Sequence, residues 1–594
     1  MSILGPLEFF SLVWPHISGF STSSKSTAKR HRPGGLRPPG GAFCNHCEGS
    51  MRSGGQVLVE ALRINGAEVI FGVPGESYLA ALDAIHDLGN ALRYVTMRQE
   101  GGASFAAAAY GDLTGRPGIC FVTRGPGVTS ATIGLHTAMQ GSTPMILLIG
   151  QISRPYRDRE VFQEIDYRRF LGETVKWVAE VDDAGRLPEY VNRAFKIAVS
   201  GRPGPVALAL PEDMLFSLTD TPDLAAARET PATPSPADIS AVGQMLEQAK
   251  RPLLLLGGTI WTPEGHAAVI RFAEAHDLPV AIGFRRQGLF PHDHPNFVGS
   301  VGFGGIPQPN QYAREADLVI ALGSRLNDPT TMKHKIIAAP RPDCQLVHIH
   351  PGAEELGRLY QADLPILADP SLAALALAEL RPTRLHTAAT SDALAGYTAH
   401  VTLPPQPGPV DMAEVMRVLN ERLPRDTTMT TGAGNATDWA NIHYCYRQFL
   451  GAAAPINGAM GMGVPAAVAA KFARPHSPSV YIGGDGDFLM NGQELATAIQ
   501  YQLDPLFIII DNESYGTIRG NQEARYPGRV SGTNLRNPDF AKVAEGYGAH
   551  GERVEATEDF EPALERSLSS GRAAVIHVLV GPKSLGPNHF LAEA

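Results

Sequence analysis

An aspartate and an asparagine 27 residues apart, Asp485 and Asn512, are the side chains in this sequence best placed to do chemistry together. Asp485 stands in Gly483-Gly484-Asp485-Gly486, directly after the apolar run Val480-Tyr481-Ile482. Asn512 follows Asp511 at the end of a second apolar run, Leu506 to Ile510. Between the runs a helical pattern extends from Asn491 to Leu503, and Pro505 ends it. Two short apolar runs flanking a helix predict a βαβ unit with parallel strands. Ligands of such sheets bind outside the carboxyl ends of the strands, so the fold would bring the two side chains together. A carboxylate, a neutral carbonyl oxygen and a glycine that admits close backbone approach form a sparse oxygen site. That suits Mg²⁺, which usually completes its octahedron with water and phosphate oxygens. Taken singly, Gly-Asp-Gly is a turn and Asp-Asn a strand exit; their pairing across one unit gives them weight.

A second candidate, Glu100, ends the segment Arg98-Gln99-Glu100 after the predicted strand Tyr94 to Thr96. A small-residue helix, Gly101 to Leu113, follows it. A glutamate at a helix start is ordinarily there for the helix dipole. The elements around it alternate: helix Gln56–Asn65, strand Glu68–Val73 into Pro74-Gly75-Glu76, and helix Tyr78–Leu88. Strand Ile119–Thr123 then runs into Arg124-Gly125-Pro126-Gly127, and Met145–Gly150 forms another strand. Such alternation predicts a parallel sheet covered on both faces. After a Pro- and Thr-rich linker at 217–237, the stretches Pro252–Gly257, Pro279–Ile282, Leu318–Leu322 and Leu346–His350 predict a second α/β sheet. A linker at 381–409 leads to a third, in which Thr427–Thr431 exits into Gly432-Ala433-Gly434-Asn435, a Gly-rich turn suited to phosphate oxygens.

The whole chain has 594 residues, 44% hydrophobic and 19% charged, which is enough for about three or four ordinary globular domains. A net charge of −10 argues against nucleic-acid binding. No apolar run reaches the roughly 18 residues that would span a bilayer. Five scattered cysteines make no disulfide framework and fit a reducing cytoplasm. Residues 1–50 differ from the rest: an apolar start broken by proline, then Ser- and basic-rich sequence expected to be disordered. Cys44-Asn45-His46-Cys47 has the spacing of half a zinc site and no second half nearby. A transit peptide fits this composition, but Met51 as the natural start is the simpler expectation, since patterned sequence begins at Gln56.

The segment RQEGGASFAAAAYGDLTGRPGICFVTRGPGVTSATIGLHTA, together with the GDG…N pair, resembles the acetolactate synthase branch of thiamine diphosphate (ThDP) enzymes. The likeness covers about 51–580. It implies three doubly wound parallel-sheet α/β domains: pyrimidine-binding (51–215), central (236–380) and diphosphate-binding (408–594). By resemblance, Asp485, Asn512 and the Ser514 carbonyl hold Mg²⁺ on the cofactor diphosphate. Gly434, Asn435, Gly486, Asp487, Tyr515 and Gly516 line the cofactor. Met460, with Met462 as its neighbouring candidate, aligns with the apolar wedge that bends the cofactor. Glu100 matches the glutamate that hydrogen-bonds the aminopyrimidine ring and prepares the cofactor to lose its reactive proton. The resemblance further implies a homodimer or homotetramer with sites between subunits. Some members hold FAD in the central domain. This sequence has no strict fingerprint for it, only the weak hint of Gly302 to Gly305.

Three departures touch the substrate pocket. Glu76 replaces a second glycine, the stretch beyond Gly516 has no tryptophan, and Asn435-Ala436 stands where many synthases have Gln-His. Phe162-Gln163-Glu164 matches a cofactor-side segment and reads equally as a solvated loop. His136, His348 and His350 read as structural. The leading expectation is decarboxylation of a 2-keto acid with carboligation. The alternatives are decarboxylation of another 2-keto acid or acyl donor without carboligation, and a non-catalytic ThDP-binding subunit. A dinucleotide oxidoreductase is weaker still, because no strand leads into G-x-G-x-x-G and a ribose-binding acid.

Overall fold

The computed structural model describes residues 51–587 and 589–591. The expected extension 1–50, with Cys44 and Cys47, lies outside them. Three six-stranded, wholly parallel sheets organise the chain. The first contains β1 (Val69–Gly72), β2 (Arg93–Thr96), β3 (Gly118–Val122), β4 (Met145–Gln151), β5 (Trp177–Glu180) and β6 (Pro205–Pro211). Their order across the sheet is β2-β1-β3-β4-β6-β5. The central sheet holds β7 (Pro252–Leu256), β8 (Val280–Ile282), β9 (Phe297–Ser300), β10 (Leu318–Leu322), β11 (Gln345–His350) and β12 (Leu364–Leu367), ordered β9-β8-β7-β10-β11-β12. The third holds β13 (Thr428–Thr431), β14 (Ala452–Ala453), β15 (Ser479–Gly484), β16 (Leu506–Asp511), β17 (His550–Val554) and β18 (Ala574–Leu579), ordered β14-β13-β15-β16-β18-β17.

Counted from their own first strands, the first and third sheets share one order, 2-1-3-4-6-5. The central sheet has 3-2-1-4-5-6, the order of dinucleotide-binding sheets. In every case the strand order reverses beside the first strand, which opens a crevice at the carboxyl edge. The inner strands are apolar throughout because helices cover both faces: β3, β4 and β16 are buried along their whole length.

The first and third domains share one hydrophobic core. Helix α1 (Glu100–Thr114) packs against α2 (Pro126–Gly141) and against α4 (Gly463–Ala473) of the third domain. Ala103–Ala109 and Ala466–Ala470 meet in that core, where small side chains let the helix backbones approach closely.

Two expectations about elements need correction. The helix expected at Asn491–Leu503 is only Leu495–Gln500, preceded by a 3₁₀ turn at Gly492–Glu494 and, before that, by a separate helix, α5 (Asp485–Asn491). Asn491 breaks the helix by turning its side-chain amide to the Gly461 carbonyl at 2.8 Å. The expected linker 381–409 contains a 15-residue helix, α3 (Thr387–Val401). Ala389, Ala393 and Tyr397 form its packed stripe, with Tyr397 edge-on to Phe297 at 5.3 Å. That i, i+4, i+8 spacing was present in the sequence beneath the flanking prolines. No helix among the described residues is long and apolar enough to cross a membrane.

Candidate active site

The crevice of the third sheet is a cavity of about 220 Å³. The loop after β13 gives it Gly434 and Asn435, and the start of α5 gives it Asp485, Gly486 and Asp487. The loop after β16 adds Asn512, Ser514, Tyr515 and Gly516, and Met460 closes one side. Met462 is buried in the core instead and does not line the cavity. Glycine at 486 is a steric requirement: a Cβ there would stand 2.6 Å from the Tyr515 ring.

The carboxylates of this crevice are fixed by dense hydrogen bonding. Asp485 accepts the Gly486 N–H at 2.8 Å and the Asn537 side-chain amide at 2.7 Å. The same Asn537 amide nitrogen donates to Asp511 at 2.8 Å, and Asp511 also binds the His577 ring at 2.8 Å. Burial, and then the nearby Asp511 charge, push Asp485 up to about 7. Burial alone would raise Asp511 too, but the hydrogen bonds from His577, the Glu513 backbone and Asn537 hold it below the usual carboxylate range. Asn512 donates its amide to the Ser584 carbonyl at 2.7 Å and accepts the Ser514 N–H at 3.1 Å, which fixes its side-chain orientation.

Asp487 borders the cavity but spends its oxygens internally. It accepts the N–H groups of Ala433 and Gly461, each at 2.9 Å, and the Tyr481 hydroxyl at 2.7 Å. A Cβ on Gly432 would fall 2.0 Å from both carboxylate oxygens, so that glycine is what lets the clasp form. Sequence reasoning missed Asn537, His577 and Tyr481. Asn537 and His577 lie on elements remote from the motif, and no spacing pattern links them to it.

A second cluster forms at the carboxyl edge of the first sheet. Glu100 is the first residue of α1, and Gln99 caps that helix by accepting the Gly102 N–H at 3.0 Å. The Glu100 carboxylate accepts no hydrogen bond among the described residues. It lies over the β3 exit, 3.6 Å from where a Cβ on Gly127 would be. Gln163 packs against Gly125, and Ser77, next to Glu76, shares a hydrogen bond with Thr123 at 2.9 Å. Glu76 is exposed, and Phe162 is 74% exposed. None of Glu100, Glu76, Phe162 and Gln163 lines the third-sheet cavity, so the chain presents the candidates as two separate groups.

The crevice of the central sheet is a cavity of about 190 Å³ between Gly257-Gly258 after β7 and Gly323-Ser324 after β10. Arg286, Arg325 and His350 also reach it, and Glu229 and Ala232 of the linker cover it. Gly302–Gly305 do not line it. Gly304 instead lies against Asp438 of the third domain, 2.9 Å from its oxygen to the position of a Cβ. His348 and His350 are buried in β11, His348 bonded to the Ser324 carbonyl at 2.9 Å. His136 meets Asn457 of the third domain at 2.9 Å.

Three family models for thiamine pyrophosphate enzymes match the chain in order. The N-terminal TPP binding domain matches residues 52–170, the central domain 239–379 and the C-terminal TPP binding domain 432–578. The chain is 32% identical over 538 residues to the acetolactate synthase isozyme 2 large subunit of Escherichia coli K12, covering 89% of this chain and 95% of that protein. It is 33% identical over 545 residues to the acetolactate synthase large subunit of Parasynechococcus marenigrum, covering 89% and 87%. The corresponding large subunit of Corynebacterium glutamicum is 31% identical over 556 residues, covering 89% and 87%. With all three domain models matched, three parallel sheets in series and a motif-lined crevice on the third, the chain belongs to the thiamine pyrophosphate enzyme family.

Proposed function

We propose that this enzyme decarboxylates a 2-keto acid and joins the remaining fragment to a second keto acid, as an acetolactate synthase does, using ThDP and Mg²⁺. The observation that carries this reading is the third-sheet cavity, into which ten sequence-predicted residues converge from separate loops. Their chemistry fits the group. Asp485, the Asn512 carbonyl oxygen and the Ser514 backbone carbonyl would hold Mg²⁺ against the diphosphate, leaving its other positions to phosphate and water. Gly434, Asn435, Gly486 and Gly516 offer backbone to the same phosphates, Asp487 and Tyr515 shape the cavity, and Met460 supplies an apolar prop. When bound, ThDP supplies the electron sink that makes loss of CO₂ feasible. Glu100 would hydrogen-bond the pyrimidine ring and hold the proton there, a role that its unengaged carboxylate leaves open.

Because Glu100 does not line the cavity of its own chain, the reading requires a second copy to bring the two groups together, in a homodimer or homotetramer. Glu76, Phe162 and Gln163 would then face the substrate from the partner's side. The central crevice, at the reversal point of a dinucleotide-type sheet and rich in glycine, is where FAD would lie if the enzyme carries it. Cys120, Cys344 and Cys445 are free thiols, in keeping with a cytoplasmic setting.

Purified protein with ThDP, Mg²⁺ and pyruvate tests the proposal, with CO₂ release and acetolactate followed together. Acetolactate is the expected product. CO₂ without acetolactate would replace carboligation by simple decarboxylation, a reading favoured by the exposed Glu76 carboxylate. Neither product, with ThDP bound, would overturn pyruvate as donor.

A further inference from the structure

Glu494 is an ionisable residue that is nevertheless 0% exposed. It ends the 3₁₀ turn Gly492–Glu494 that follows α5, nine residues beyond Asp485. Its carboxylate reaches out of the third domain to the start of α1 in the first. The Arg98 N–H donates to both oxygens, at 3.1 and 3.2 Å, and the Thr497 hydroxyl donates to one at 2.6 Å. A Cβ on Gly102 would stand 2.6 Å from the carboxylate, so glycine in the first turn of α1 is what admits it. Placed there, the carboxylate faces the positive end of the α1 dipole and accepts bonds from backbone and hydroxyl donors, which oppose the upward push of burial on its pKa.

The neighbouring contacts act in the same direction. β2 is an edge strand, and the third domain occupies part of its free backbone. The Thr96 N–H donates to the Tyr501 hydroxyl at 2.7 Å, and that hydroxyl donates to the Tyr94 carbonyl at 3.2 Å. The Arg98 guanidinium donates to the Gln500 side-chain carbonyl at 2.6 Å. Of these contacts, only those of Glu494 and Gln500 reach Arg98, two residues before Glu100. Among these contacts, Glu494 is the one whose carboxylate bonds the backbone of the turn from which Glu100 projects. Among the described residues the Glu100 carboxylate has no hydrogen bond of its own to fix it, so its position depends on the backbone beneath it.

We propose that Glu494 is a positioning residue for Glu100, holding the β2–α1 turn so that the Glu100 carboxylate meets the cofactor ring at hydrogen-bond distance. The inference rests on the reading of Glu100 as the acid that serves the cofactor. It also ties the two groups of site residues together within one chain, since the segment that begins with metal-type Asp485 ends by holding the turn that carries Glu100.

The test is the exchange of the bound cofactor's C2 proton for deuterium, read by quenched NMR in the full chain loaded with ThDP and Mg²⁺. Glu494→Gln keeps the shape but sets an amide donor against the Arg98 N–H. Displacement of the turn by about 1 Å is expected to slow exchange about 100-fold while the Kd for ThDP, from fluorescence quenching, stays within about threefold. Wild-type exchange in Glu494→Gln overturns the proposal, even if its melting temperature falls, because that pattern belongs to a merely structural clamp. Glu100→Gln is run in parallel: normal exchange in that variant rejects the reading of Glu100 itself. Slow exchange in Glu100→Gln with normal exchange in Glu494→Gln rejects only the role of Glu494. Thr497→Val, nearly isosteric, removes one donor to the carboxylate and is expected to slow exchange by about threefold. Should Glu494→Gln not fold, wild-type exchange in Thr497→Val overturns the proposal.

Discussion

The first and third sheets have the same strand order and the same reversal point, yet their crevices are built differently. In the third, Asp485, Asp487 and Asp511 are all buried, and every one is held by side-chain or backbone donors. In the first, the loops are Pro- and Gly-rich, Glu76 is exposed, and Glu100 carries a carboxylate with no hydrogen bond among the described residues. A shared topology therefore fixes where a ligand can sit, and the side chains at the strand exits decide what is done there. A crevice of braced carboxylates suits the gripping of a cation and its phosphates. One whose acids are left unengaged suits the handling of a proton. In the proposed function the two crevices serve opposite ends of one cofactor.

The largest expected effect separates these two jobs. Glu100→Gln should lower turnover by about 10³-fold, within the range for a lost acid–base group, while ThDP still binds in the presence of Mg²⁺. Unchanged turnover would show that the first crevice has no part in the chemistry. Asp485→Ala should do the reverse, weakening Mg²⁺-dependent ThDP binding by about 100-fold. A titration of cofactor fluorescence against metal concentration reads this directly, and equal cofactor affinity in the two variants would erase the distinction between the crevices.

Much of this was legible before the structure, and the reasons differ by element. The three sheets were legible because parallel strands buried on both faces read as short apolar runs, and because glycine-rich exits follow them. Asp485 and Asn512 were legible because one βαβ unit carries both. The break at Gly492–Glu494 was hidden, since a helical pattern says nothing of the Asn491 amide seeking a distant carbonyl. The bracing of Asp485 through Asn537, Asp511 and His577 spans 92 positions from first to last and leaves no local pattern. Gly302–Gly305 lie outside the central cavity, and Gly304 packs against Asp438 instead. A close approach between domains and a ligand cradle both demand glycine. Composition cannot tell them apart.

Two glycines at equivalent places give a finer test of the same comparison. Gly486 and Gly127 are each the second residue of the helix that follows the third strand of its sheet. A methyl at 486 would stand 2.6 Å from the Tyr515 ring, which borders the proposed phosphate site. At 127 the nearest atom is a Thr123 methyl at 3.0 Å, and the Glu100 carboxylate is farther, at 3.6 Å. Gly486→Ala should therefore displace Tyr515, cost about 1–3 kcal/mol of stability and weaken ThDP binding. Gly127→Ala should leave ThDP binding unchanged. Calorimetric melting and cofactor titration of the two variants side by side check this, and equal losses of affinity would mean that the helix starts are equivalent in function as well as in place.

The smallest expected effect concerns Asp438, which follows the glycine-rich exit of β13. Burial pushes this carboxyl up to about 7, against the partial opposition of the buried Arg285 guanidinium. In the unfolded chain it titrates near 4. Below that pH the group is neutral in both states, and its proton costs the fold nothing. As pH rises from about 4 to 7, the unfolded chain releases the proton while the fold retains it, so the stability this group contributes falls and then levels off. An amide in its place, as in Asp438→Asn, stays neutral throughout. The melting temperature of Asp438→Asn, relative to the parent chain without cofactor, should therefore increase between pH 4 and 7 by about 1–3 °C and change little above pH 8. An offset that is constant with pH would mean that Asp438 stays ionised in the fold across this range, its charge held by the neighbouring Arg285 guanidinium.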